Sequence, residues 1–171
     1  MSHAPEPADD PHVLGPGLLP TPFTADEIRA ATGRGKTIRI LVEAPGGVRF
    51  ERINRFTDCD GDGATLARWR LTAVGAAADA VDGEIARGRV AWRELQGHAA
   101  FPADRTTVVE ETVELPLGRL ACLRYDTRDR PDDPVETFWV AREHPGMPVR
   151  YEVPTPGGVE RSTVVSIERA G

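Results

Sequence analysis

Cysteine is scarce: across 171 residues the chain carries Cys59 and Cys122 and no others. They lie far apart, in no Cys-x-x-Cys pair and beside no histidine, so neither a disulfide framework nor a zinc motif is available. Reduced thiols are expected, with Cys122 in the core. Long apolar runs are missing too. No stretch approaches the roughly 18 residues that a membrane span needs, and Met1 to Asp10 has neither the basic start nor the apolar centre of a secretory signal. A cytoplasmic protein without a membrane span is the expectation. Positive charge is in deficit, with 21 Lys and Arg against 27 Asp and Glu for a net charge of -6. The basic residues are scattered along the chain, which speaks against nucleic acid as a partner. Nucleophile signatures are absent as well. Ser162 and Ser166 sit in no Gly-x-Ser-x-Gly elbow, and Gly33-Arg34-Gly35-Lys36-Thr37 precedes a strand and lacks the leading glycine of a phosphate loop. No cofactor is expected.

What the chain does have is short alternating runs punctuated by proline and glycine. Residues 1–20, rich in Pro, Gly and Asp, form a flexible arm, and residues 21–171 form a single β-rich domain. A chain of this size can bury about 70% of its unfolded surface without covalent staples. Thr24-Ala25-Asp26-Glu27 is a capping box flanked by Phe23 and Ile28, and it opens a helix of two to three turns that Gly33 ends. Too short to stand alone, that helix must dock on a sheet edge or a barrel mouth. Lys36 to Ala44, Val48 to Thr57 and Ala64 to Ala73 then alternate as a three-strand meander. Val74 to Asp82 is ambiguous between helix and strand, with Asp82-Gly83 and Arg87-Gly88 as breaks. A turn or two of helix follows around Trp92 to His98. Thr106 to Leu115 and Arg119 to Thr127 pair across Pro116-Leu117-Gly118, and Arg128 to Pro134 is a loop.

The last third holds three further strands. Val135 to Ala141 is apolar on both faces and is expected to be covered on both sides. Val149, Tyr151 and Val153 alternate with Arg150 and Glu152. In Val159 to Glu168, Val159, Thr163, Val165 and Ile167 share one face, with Arg161 as the exception. The fold expected is therefore mainly β, an antiparallel meander of about eight strands forming an open or closed barrel, with a short N-terminal helix and one or two small helices. Thr137-Phe138-Trp139-Val140-Ala141 followed by Pro145-Gly146-Met147-Pro148-Val149-Arg150-Tyr151-Glu152 resembles the closing strands of LolA-like half-barrel proteins. That resemblance implies a curved antiparallel sheet holding a lipid or another apolar ligand.

Asp58-x-Asp60-x-Asp62-Gly63 matches the opening of a calcium loop, but its twelfth position is Trp69 where a bidentate Glu is required. An acidic hairpin turn is the alternative, and no metal site is assigned. Glu94 and His98, four apart, could share a helix face as an acid/base pair. Arg52 and Asn54 share a face with Phe50 and Phe56, Arg161 with Val159 and Thr163, and Arg124 and Asp126 with Leu120 and Cys122. Charges on apolar faces must be paired or wet. They are either structural ion pairs or polar anchors of a cavity. The function expected is that of a non-enzymatic binding protein for an apolar or amphipathic small molecule, with Phe50, Arg52, Trp69, Tyr125, Trp139 and Tyr151 as candidate lining. A protein–protein interaction or regulatory module, including a homodimer, is the first alternative, and a small enzyme centred on Glu94 and His98 the second.

Overall fold

The computed structural model describes residues 10–169. Its first helix, α1 (Ala25–Ala31), begins at the predicted capping box: the Thr24 hydroxyl accepts from the Glu27 N–H, and the Glu27 carboxylate accepts from the Thr24 N–H. Ile28 on its buried side is only 2% exposed. Strands β1 (Thr37–Ala44) and β2 (Val48–Thr57) pair antiparallel around Pro45-Gly46-Gly47. Gly46 and Gly47 have φ of 82° and 78°, a region costly for any side chain. Next come β3 (Gly63–Leu71) and β4 (Val81–Ala91). The chain then crosses by α2 (Trp92–Gly97) and a helical turn at Ala103–Arg105 to β5 (Thr106–Leu115). From there β6 (Gly118–Thr127), β7 (Glu136–Ala141), β8 (Arg150–Thr155) and β9 (Gly158–Glu168) return to pair with β1.

All nine strands belong to one antiparallel sheet, ordered β4-β3-β2-β1-β9-β8-β7-β6-β5. It does not close: β4 and β5 are its edges. To the roughly eight strands expected the sheet adds β4, which begins where the ambiguous Val74 to Asp82 ends and runs on through the glycines read as breaks. Its side chains are almost all exposed or half-exposed, so no apolar alternation marks it, and Gly83 and Gly88 mimic strand ends. Backbone pairing with β3 holds it, reinforced where Gly63 lies so close to the partner strand that a Cβ would stand 2.0 Å from the Val90 carbonyl oxygen.

The inner face carries α1 and α2 and the largest apolar cluster, with Ile28, Ile38, Ile40, Val42, Phe56, Trp92, Phe101, Tyr125, Val140 and Val164 at its centre. The outer face holds smaller clusters. One joins Ile53, Ala67, Trp69 and Leu71 under the β3–β4 connection, and the other joins Leu115, Leu120, Cys122, Trp139 and Ala141. β7 is thus packed on both faces, as its composition requires. In β9 the predicted faces change midway. Arg39 pairs with Ser166 but Ile40 with Val164, so Val165 is a bulge residue, and Ser162, Val164 and Ile167 turn inward in place of Thr163 and Val165. Of the arm expected over residues 1–20, residues 1–9 lie outside the described residues. From Asp10 the chain runs along α2, where the Gln96 amide donates to the Pro11 carbonyl (2.8 Å) and Leu18 bridges to Pro102.

Candidate functional site

Alternation sets the inner wall. Across seven neighbouring strands, Val108, Tyr125, Phe138, Tyr151, Ser162, Val42 and Phe50 are successive pairing partners and therefore share the inner face. Phe138 stacks on Tyr151 at 6.1 Å, ring centre to ring centre, and lies 5.3 Å from Phe101, which in turn packs at a tilt against Tyr125 at 4.9 Å. Between this aromatic row, the far ends of β1 to β3 and the two helices lies a cavity of about 330 Å³. Its apolar wall includes Ile28, Ile38, Phe56, Leu66, Leu95 and Phe138, and Gly146-Met147-Pro148 of the β7–β8 connection forms its rim.

Polar groups enter this wall at few places. Lys36 lies just before β1, continuing the ladder opposite Phe56, whose N–H donates to the Lys36 carbonyl at 2.9 Å. Its side chain is 3% exposed and lines the cavity. Burial, and secondarily the repulsion of Arg169, bring its pKa down to about 8. Asn54 is 9% exposed and its Oδ1 is buried with no hydrogen-bond partner among the described residues. Arg68, His98, Thr32 and the Tyr151 phenol complete the polar contributions. Lys36 was not among the residues expected to line a site, yet it is in phase with Ile38, Ile40 and Val42, so alternation alone turns it toward the apolar face.

Of the residues expected to line a site, Tyr151 does so directly. Arg52, half-buried on the same face, donates to the Tyr151 hydroxyl, while its Nε has no partner among the described residues. Phe50 is half-buried beneath the Arg70 guanidinium at 4.0 Å, and Tyr125 is core, 2% exposed. The structure puts Trp69 and Trp139 on the outer face. The Trp69 indole donates to the Ala78 carbonyl at 2.7 Å, and Trp139 packs with Leu120 and Cys122. The strand arginines divide as well. Arg124 is a structural ion pair with Glu111 (2.8 Å) and Asp126 (3.3 Å), and Arg161 pairs with Glu152 at 3.0 Å. Arg52 has a phenol for a partner in place of a carboxylate.

His98 lines the cavity from the end of α2, whereas Glu94 is exposed and is not part of the wall. Among the described residues the two form no ion pair. In the acidic turn the Asp60 carboxylate is taken up locally. It accepts from the N–H groups of Asp62 (2.9 Å) and Gly63 (3.0 Å) and pairs with Arg89, and these backbone bonds hold its pKa below the ordinary value. No cluster of three or more metal-ligating side chains occurs among the described residues. The Cys59 thiol is pushed up mainly by burial, with the carboxylates of Asp58 and Asp60 adding to it and Arg89 opposing. Among the described residues, no helix is long and apolar enough to cross a membrane.

No family model matches the chain, and no curated protein matches it. Among solved structures, it is similar to one described as an outer membrane lipoprotein-sorting protein domain from Vibrio parahaemolyticus. The identity is 10%, with 84% of this chain and 89% of that one covered, at a TM-score of 0.29.

Proposed function

We propose that the protein binds a small apolar or amphipathic molecule in the cavity between the two helices and the inner sheet face. One observation supports this above the others: a void of about 330 Å³ remains beneath α1 and α2, walled largely by apolar side chains. Protein interiors are otherwise packed to crystal density, and small-molecule sites are apolar clefts from about 300 Å³ upward with a few placed polar groups. Tyr151, with Arg52 behind it, is the part of the predicted lining that meets this void, and Phe50 and Tyr125 support the same wall. The small-enzyme reading loses its pairing, since Glu94 stands outside the cavity that His98 faces.

Two measurements test the proposal. Native mass spectrometry of freshly purified protein, set against the same sample denatured, should reveal a co-purified organic mass that is released on unfolding. In addition, the neutral dye N-phenylnaphthylamine should brighten on binding the wild-type protein, and Ala99→Trp, which fills the cavity from the α2 side, should abolish that signal while the sheet still melts cooperatively. Equal dye binding by wild type and variant would refute the assignment of the cavity as the binding site.

A further inference from the structure

Of the 21 Lys and Arg residues in the chain, Lys36 alone is lysine. Every other fixed side-chain cation is an arginine. The single lysine is not on the surface, where a solvated charge has little cost; it is 3% exposed and lines the cavity. A buried ammonium is costly unless an anion and hydrogen-bond acceptors compensate it. None of the described cavity-wall residues is a carboxylate. The charged and titratable groups of the wall are Lys36 before β1, Arg68 on β3, His98 at the end of α2 and Tyr151 on β8, while α1 contributes only Ile28, with Thr32 just after it. Outside the wall, the charge of Arg169 after β9 acts on Lys36, and that of Lys36 acts on His144 in the β7–β8 connection. His144 is held below its ordinary pKa by burial first, and by Lys36 and Arg169 against the opposing Glu143. The void is therefore an electropositive one in a chain of net charge -6. Beside it, the Oδ1 of Asn54 is an acceptor that no group among the described residues uses.

We infer that the ligand is an anionic amphiphile of the carboxylic acid class. Its carboxylate neutralises the Lys36 ammonium, a hydroxyl or amide donor of its polar end reaches Asn54 Oδ1, and its hydrocarbon lies among Ile28, Ile38, Phe56, Leu66 and Phe138. This rests on the binding function proposed above and adds the charge of the head group. Lysine suits the task because its compact ammonium is a point charge on a flexible apolar stem.

Calorimetric titration with decanoate and with decanol separates the two levels. At neutral pH the wild-type protein should bind decanoate at least about tenfold tighter than decanol. Lys36→Met should keep decanol binding and lose that preference. In wild type, the decanoate preference should be steady below the Lys36 pKa of about 8 and decline above it, with decanol unaffected. Equal affinities for acid and alcohol in wild type would overturn the head-group inference while leaving the cavity as a binding site; binding of neither would overturn both. Should Lys36→Met fail to fold, reductive methylation with an isotope-labelled methyl donor serves instead, since Lys36 carries the only side-chain amine. Decanoate should then raise the titration midpoint of the labelled Lys36 resonance by about one pH unit or more. An unmoved midpoint overturns the inference.

Discussion

A buried lysine with no counter-ion among the described residues makes stability depend on pH in an uncommon direction. Lys36 binds its proton less well in the folded chain, with a pKa of about 8 against an ordinary value of 10.5. Between those two values the unfolded state holds the extra proton. Stability contributed at this site is therefore lowest below pH 8 and recovers as pH rises toward 10.5. Lys36→Met removes the penalty, so the ligand-free variant should be more stable than wild type at neutral pH, by up to roughly 3 kcal/mol. The difference should shrink toward zero in alkaline solution. Urea denaturation of both proteins at neutral pH and above pH 10.5 checks this; a constant difference at both pH values would assign the effect to side-chain packing.

Among the elements, the helical cover is the part least anchored by its own backbone. α1 has 7 residues and α2 has 6, both far below the length at which an isolated helix persists. Buried Gln96 ties them together. Its Oε1 accepts from the Ala25 N–H at 3.0 Å, and its amide donates to Thr21 Oγ1 at 2.9 Å and to the Pro11 carbonyl at 2.8 Å. Gln96→Ala leaves those partners unsatisfied and should cost about 2–4 kcal/mol. Hydrogen exchange should localise the effect, with amides of α1 opening well before those of β1 and β9. Because Ile28 and Leu95 wall the cavity from these helices, the same variant should also weaken dye binding.

At the scale of the whole molecule, the β1–β9 pairing joins two meanders, β1 to β4 and β5 to β9, into one sheet. Ile40 sits in that seam with no exposed surface. Ile40→Ala should cost about 2–5 kcal/mol and lower a single cooperative transition for both halves. Val109, 43% exposed on the edge strand β5, is the control; Val109→Ala should change stability by less than about 0.5 kcal/mol. Separate melting of the two meanders in Ile40→Ala would show that the seam does not unify the fold.

Local signals determined much of this on their own. The Thr24–Glu27 capping box, the Pro45-Gly46-Gly47 turn, the strands flanking Pro116-Leu117 and the two-sided burial of β7 follow from hydrogen-bonding geometry and side-chain alternation within a few residues. So does the sharing of one face by Phe50, Arg52, Asn54 and Phe56. What tertiary structure alone decided is non-local. β4 is a strand because β3 supplies its hydrogen bonds, not because its own residues alternate. Trp69 and Trp139 are as aromatic as Tyr151, but whether a sheet face receives helices or loops depends on where the β4–β5 crossover lies, and it lies on the other side from them. Lys36 is cationic in any reading of the chain; it becomes a candidate ligand group only because α1, α2 and the β7–β8 connection converge over it, with no carboxylate among the described residues of the wall. Pairing partners and crossover side are set by contacts between residues distant in the chain, which local periodicity does not encode.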